Sequence, residues 1–477
     1  MIYHMGTIMI SKIRICFVLI CLFISSSLLS VSVYSTETTN DNVVITFKLF
    51  RYLEENVEED AEFWIECNIN SEPYQSPLFD SSQNGKPINW TIYLDTAPNP
   101  AIFNLTIFLY KSVDDIDVLC DLSGNDSYET NSIQLTYYPE VGWWDGDDHL
   151  NDSSGYGRLN GCDDGSIYIN ENDAELYFSI LQLDEDGDYI PEWIETNVFD
   201  TDPTIDDSLI DYDEDGIPTG WEWYFGYSPK TFDDHANLDP DNDSLSNIEE
   251  WLTWDYDSDP YRKDIFLEID CMDESPSGES SIYPEESLEM LHYPFHRRNY
   301  VVHVNRSEII PYDEKTDINE LLNYYDSYFL NGNPTNWRRG VFHYGIYVYE
   351  TTPKGYAFSG DVDPHWGYHP GTNGFVISSS RMERNARWFT ETLEYYYASA
   401  TMHELGHNFG FRLGDPFGCD AQLGKYPWQI MYYVYGNYVS IMNYRYTYKV
   451  FDYSDGSHGF LDHDDWGELD LSYFEYQ

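Results

Sequence analysis

Three acidic runs of one design divide this 477-residue chain. Asp184-x-Asp186-x-Asp188 is followed by Glu195, Asp211-x-Asp213-x-Asp215 by Glu222, and Asp239-x-Asp241-x-Asp243 by Glu250, each glutamate eleven residues after its first aspartate. At this spacing, positions 1, 3, 5 and 12 of a twelve-residue loop turn carboxylate oxygens toward one Ca²⁺. Carboxylates packed this densely repel one another unless a cation sits among them. Residues 184–260 are therefore read as a calcium-binding connector between two larger domains. Trp193, Trp221, Trp223, Phe225 and Trp251 would supply the small apolar contacts that the ion fixes. Glycine stands at position six only in the second loop, as Gly216. Tyr189 and Ser244 replace it in the other two, which weakens those turns.

The second constraint is His403-Glu404-Leu405-Gly406-His407. Phe389, Leu393, Tyr396 and Ala400 recur at offsets of four, three and four, and His403 and His407 continue the series, so a helix puts all six on one face. Two imidazoles one turn apart can close on one metal ion, and zinc fits best because it accepts imidazole nitrogen and keeps a position for water when three protein groups bind it. Glu404, one residue round the helix, is placed to take a proton from that water as general base. Gly410 can end the helix in a left-handed conformation and turn the chain back toward the metal.

His403-Glu404-x-x-His407-x-x-Gly410, with Ser440-Ile441-Met442-Asn443-Tyr444 downstream, resembles the metzincin zinc proteases and their Met-turn. The resemblance implies a third ligand three residues after the glycine, but Leu413 stands there and cannot ligate. Asp415 is the nearest oxygen donor by spacing. Asp420, in Gly418-Cys419-Asp420, is favoured by a wider likeness of residues 263–473 to a set of secreted prokaryotic metalloprotease-like proteins that share Tyr426-Pro427-Trp428-Gln429 and Asp452-Tyr453-Ser454-Asp455-Gly456. Cys419 is expected to be bridged in an oxidising compartment. The resemblance further implies that Met442 floors the site, that Tyr444 donates a hydrogen bond to a developing oxyanion, and that 374–378 is the antiparallel edge strand to which an extended peptide adds. The acidic loops are similar to the calcium repeats of thrombospondins and dockerins.

The remainder of the chain frames these two features. Lys12 and Arg14 precede an apolar run over 15–29, so 1–35 is read as a secretory signal, its rival being an uncleaved anchor for which the run is short. Cys67, Cys120, Cys162, Cys271 and Cys419 remain after its removal, an odd number with no Cys-x-x-Cys pair, which argues against a cysteine zinc site. Short alternating runs at 43–50, 62–69, 90–94, 101–110, 132–138 and 175–181 predict an antiparallel β-sandwich over 36–183. Its acidic loops at 145–148 and 163–164 are read as solvated. Beyond the connector, strands at 264–270, 300–304, 340–349 and 374–378 alternate with helices at 284–297 and 318–329, which predicts an α/β domain with a mixed sheet over 261–477.

A net charge of −61 excludes nucleic acids and anionic membranes as partners and favours divalent cations. The expectation is a secreted or cell-surface zinc endopeptidase, with Zn²⁺ and Ca²⁺ as cofactors, a protein or peptide as substrate and no membrane insertion once the signal is removed. The alternative is a calcium-stiffened surface or adhesion protein whose metalloprotease-like domain is inactive. Oligomeric state is not written in the sequence.

Overall fold

The computed structural model describes residues 42–53, 61–80, 85–95, 102–114, 116–124, 131–139, 142–148, 156–164, 172–182, 184–188, 190–351, 355–358, 362–363, 367–368, 374–388 and 390–472. The predicted signal segment, Tyr189 and Phe389 lie outside the described residues.

The period-two runs at the N-terminus form two antiparallel sheets. One has the order β4 (Lys86–Asp95), β1 (Asn42–Tyr52), β10 (Ala174–Leu181), β9 (Gly157–Asn160). The other runs β3 (Glu72–Gln75), β2 (Glu62–Ile69), β5 (Phe103–Val113), β7 (Ile133–Tyr138), β8 (Trp143–Gly146), with β6 (Ile116–Leu119) paired to β5. Phe63, Ile65, Cys67 and Ile69 of β2 alternate into a core shared with Phe47, Phe50, Leu105, Ile107 and Phe178. The acidic loops expected to be solvated are partly claimed by protein donors: Trp144 Nε1 donates to the buried Asp148 at 2.7 Å, and Arg158 to Asp163 at 2.9 Å.

β10 is buried on both faces. Leu176, Phe178 and Ile180 enter the sandwich core, whereas Tyr177 joins Tyr156, Ile217, Trp221 and Phe225 in a cluster that belongs half to the connector. Burial of each such ring contributes roughly 2 to 3 kcal/mol. The connector's helices, among them α1 (Thr219–Tyr224) and α2 (Asn247–Leu252), are short, and Trp221 lies on the first of these. Its aromatic face has to be covered, and the sandwich covers it. The connector is therefore not an extended spacer, and the sandwich touches the C-terminal domain directly. His296 Nε2 donates to the Tyr52 carbonyl at 2.6 Å, Arg51 to Asn299 Oδ1 at 3.3 Å, and Arg262 to the Tyr177 hydroxyl at 3.3 Å.

The C-terminal domain is a mixed sheet of order β12 (Val301–Ile310), β11 (Asp264–Met272), β13 (Phe342–Val348), β17 (Gly374–Ser378), β14 (Gly355–Phe358), with β15 (Val362–Asp363) and β16 (Gly367–Tyr368) as a separate pair. All pairings in the five-stranded sheet are parallel except β14 with β17. One expectation is corrected here: 374–378 is not the edge. Every residue of β17 is buried, as a continuous apolar strand with neighbours on both sides must be, and β14 is the antiparallel outer strand among the described residues. Helices α3 (Glu285–His296) and α6 (Leu393–Asn408) share one core, with Leu291, Phe295, Met402 and Leu405, and α5 (Ser379–Trp388) adds Met382 to it. Helix α4 (Ile318–Tyr324), continued by a wider turn over Tyr325–Phe329, contributes to a second core with Phe342, Tyr344 and Ile346. No helix among the described residues is long and apolar enough to cross a membrane.

Candidate metal centre and acidic loops

Helix α6 begins where the Thr392 side chain accepts a hydrogen bond from Tyr395 N at 3.2 Å, and it runs through both histidines. Gly410, at φ +100°, stops it, and the Phe411 amide returns to the Gly406 carbonyl at 3.1 Å. This reversal brings the Phe411 carbonyl to His407 Nδ1, while the Ile441 carbonyl lies 2.9 Å from His403 Nδ1. A carbonyl can only accept, so each Nδ1 carries its proton. In a neutral ring each Nε2 then offers a lone pair. The two rings are perpendicular, with centroids 5.1 Å apart.

Asp420 completes the group. Its Oδ1 lies 3.1 Å from His403 Nε2 and its Oδ2 3.2 Å from His407 Nε2, and Oδ1 is buried without a hydrogen-bond partner. Its amide donates to the Met442 carbonyl at 3.0 Å, which ties it to the turn beneath the helix. Asp415 is corrected as a third-ligand candidate. It is exposed, closing a tight turn by paired backbone bonds with Arg412, and it is not brought to the histidines. Leu413 is 72% exposed. Cys419 is a buried free thiol rather than half of a bridge, and burial, with Asp420 beside it, pushes its pKa far up; the ligand atoms that converge are those of His403, His407 and Asp420. Cys67, Cys162 and Cys271 are also free and buried.

Burial works against charge on the imidazoles, but Asp420 outweighs it and raises His407 to about 9 and His403 in the same direction. The carboxylate of Asp420, buried yet facing both rings, falls well below its usual range. These opposed shifts have one cause, the close approach of the carboxylate to both rings. Glu404 is buried one position from His403, and its charge bears on both imidazoles and on Tyr444. The Tyr444 ring stacks on His403 with centroids 5.7 Å apart, and burial, then Asp420 and Glu404, raise its phenol far above the ordinary value. It stays a donor at any working pH. Met442 is fully buried, with Sδ only 2.5 Å from where a Cβ on Gly406 would stand, so glycine in the middle of the motif lets the helix rest on the turn without displacing Met442. Sequence reasoning missed Asp465. Fully buried, it accepts from Tyr438 at 2.9 Å, from Ser440 and from the Ser454 amide at 3.1 Å, and so fixes the turn that carries Met442 from below.

The three acidic loops repeat one geometry. In each, the third- and fifth-position aspartates accept a backbone N–H on one oxygen, Asp186 and Asp188, Asp213 and Asp215, Asp241 and Asp243, and the second oxygens of Asp215 and Asp243 accept from the Asp233 and Asp264 amides. The first-position Asp184 accepts from the Gly187 amide, and Asp211 and Asp239 accept backbone N–H groups on both oxygens. Asp186 Oδ2, Asp188 Oδ2, Glu195 Oε2, Asp213 Oδ2, Asp241 Oδ2 and both oxygens of Glu222 and Glu250 are buried without a partner. Burial and mutual repulsion raise Asp188, Glu195 and Glu222 to about 7 and Asp241 to about 10. Ser244 takes the left-handed conformation, φ 78°, that Gly216 supplies in the second loop, so the third turn forms despite its serine. The sequence missed that later residues close two of the sets. Asp207, twelve residues after Glu195, joins Asp188 and Glu195, and His235, thirteen after Glu222, joins Asp215 and Glu222. The repeat spacing carried that signal.

No family model matches the chain, and no curated protein matches it. Among solved structures it is similar to C2 domains. One C2 domain has 8% identity over 30% of this chain and 98% of that chain, with a TM-score of 0.19. A C2 domain of a plant extended synaptotagmin has 6% identity, covers 31% of this chain and 98% of its own, and scores 0.19. The paired C2 domains of extended synaptotagmin 2 have 11% identity over 32% of this chain and 45% of that chain, at 0.18. Values this low carry no function across.

Proposed function

We propose that the chain is a secreted zinc-dependent endopeptidase. The observation that carries the reading is the convergence of His403 Nε2, His407 Nε2 and the Asp420 carboxylate on one point, with both Nδ1 protons committed to backbone carbonyls and Glu404 beside the pair. An unpartnered buried oxygen and two oriented imidazoles fit zinc, which in such a site supplies Lewis acidity and lowers the pKa of water to about 7.

The protein's own groups do the rest. Glu404 takes the proton of the attacking water and returns it to the leaving amide nitrogen. Tyr444, held against His403 and kept protonated by its surroundings, donates a hydrogen bond to the carbonyl oxygen as charge develops on it. The outer strand β14 presents a free backbone edge, among the described residues, to which an extended peptide can add. The carboxylates of the all-oxygen first and third loops would hold calcium, whose charge would offset their own. In the rival reading, the same calcium-stiffened scaffold carries an inactive domain.

Casein digestion by the purified chain, before and after metal stripping and after zinc is restored, separates the two. The protease reading expects loss on stripping and recovery with zinc. A zinc-loaded chain that cleaves no protein substrate supports the inactive scaffold.

A further inference from the structure

The second acidic loop differs from its neighbours in one donor. Where the first loop is closed by the Asp207 carboxylate, the second is closed by an imidazole. His235 is 0% exposed, as is Glu222. Its Nε2 faces Asp215 Oδ2 at 3.2 Å and Glu222 Oε1 at 3.8 Å, yet neither approach has hydrogen-bond geometry, and Nε2 and both Glu222 oxygens are left without partners. A simple ion pair would aim an N–H at one oxygen. Here the three atoms instead converge on the space between them, at separations that ligands about 2.1 Å from a single ion would have.

The far side of the ring agrees. Nδ1 lies 2.9 Å from the side-chain amide nitrogen of Asn247, a fully buried residue whose amide oxygen has no partner. Turning that amide end for end lets the oxygen accept from Nδ1–H and satisfies both groups. Nε2 is then the unprotonated nitrogen, pointed at the carboxylates. Trp221 and Tyr227 pack edge-on against the ring and hold it there.

We propose that the second loop is a site for a zinc-class transition metal, bound by His235, Glu222 and Asp215, between neighbours that take calcium. Calcium prefers oxygen throughout, whereas imidazole with two carboxylates suits zinc or a similar divalent ion. Residues 211–235 would then respond to transition-metal supply independently of calcium, and of whether the domain at His403 and His407 cleaves anything.

The test uses the full-length chain loaded with zinc in excess calcium. Diffraction at the zinc edge from the wild-type protein is expected to show an anomalous peak between His235, Glu222 and Asp215, besides any peak at His403 and His407. In solution, the His403→Ala/His407→Ala double variant is expected to retain zinc and, with Co²⁺ in its place, to absorb in the visible. Adding His235→Gln abolishes both, while calcium content and circular dichroism stay as they were. A peak at His403 and His407 alone, calcium at the second loop with no anomalous signal, or a Co²⁺ spectrum indifferent to His235→Gln each overturns the proposal. The diffraction arm decides even if a variant fails to fold. Loss of the His403 signal with the His235 signal intact contradicts only the protease reading.

Discussion

Asp420→Asn tests the ligand set directly. Asn keeps the size of the side chain and adopts the left-handed backbone found at Asp420, φ 53°, more readily than most residues, so the amide bond to Met442 should survive. What it removes is a carboxylate 3.1 and 3.2 Å from the two Nε2 atoms. Structural zinc sites with four ligands bind with about 10 to 16 kcal/mol, so one ligand is worth roughly 3 kcal/mol and its loss about two orders of magnitude in Kd. The proton on His407 complicates the comparison. With Asp420 present, that ring titrates at about 9, so below pH 9 zinc must displace a proton from the wild type that the variant, lacking the carboxylate, holds less tightly. The gap is therefore expected to be widest near pH 9 and to narrow as pH falls. Zinc affinity is read by competition with a chromogenic chelator across that range, with Asp415→Asn as the control, expected to match wild type. Equal affinity for Asp420→Asn at pH 9, or a loss in Asp415→Asn instead, refutes the assignment.

Gly406→Ala should destabilise the domain by about 1 to 3 kcal/mol in urea unfolding despite alanine's better helix propensity, because the added Cβ meets Met442 Sδ; a stabilised variant contradicts the packing described. Stripped of cations, the connector should resist proteolysis better at pH 5 than at pH 8: Glu195 and Glu222 titrate near 7 when folded and near 4.5 when unfolded, so the folded state holds more protons and its advantage is lost as pH rises through that window. Added calcium should abolish the trend, and a connector equally resistant with and without cations counts against the loops as ion sites. His296 and His343, buried and held neutral down to about 3, oppose acid: the unfolded chain protonates first, so each removes about 1.4 kcal/mol of stability per pH unit as pH falls from 6.5 toward 3, measurable as a falling Tm.

The strands of the sandwich, the acidic loops and the histidine helix were legible because each is a local pattern. Period two marks a half-buried strand, eleven residues separate the first and last carboxylates of each acidic loop, and four residues put two histidines on one helix face. What escaped depends on contacts distant in sequence. Spacing from His407 favours Asp415 and the wider likeness around Gly418-Cys419-Asp420 favours Asp420; in the structure the amide bond to Met442 brings Asp420 to the histidines, while the turn at Arg412 keeps Asp415 away. The edge assignment of 374–378 rests on the resemblance, and its outer neighbour β14 spans only four residues and carries no alternation to announce it. Asp465 is one of many aspartates, distinguished only by the buried hydroxyls of Tyr438 and Ser440 that reach it. The aromatic residues of the connector suggest small local contacts. That they instead dock on Tyr156 and Tyr177, and so bring the sandwich against the C-terminal domain, follows from burial on both faces of β10.

The central claim is that Glu404 serves as the base for a water activated between His403, His407 and Asp420. The most direct measurement is the rate of cleavage of an internally quenched peptide by wild type and Glu404→Gln at equal zinc content. Catalysis by a general base contributes about 10² to 10⁴-fold, so the variant should retain its zinc and lose activity by that factor. Equal rates in the two forms would contradict the account.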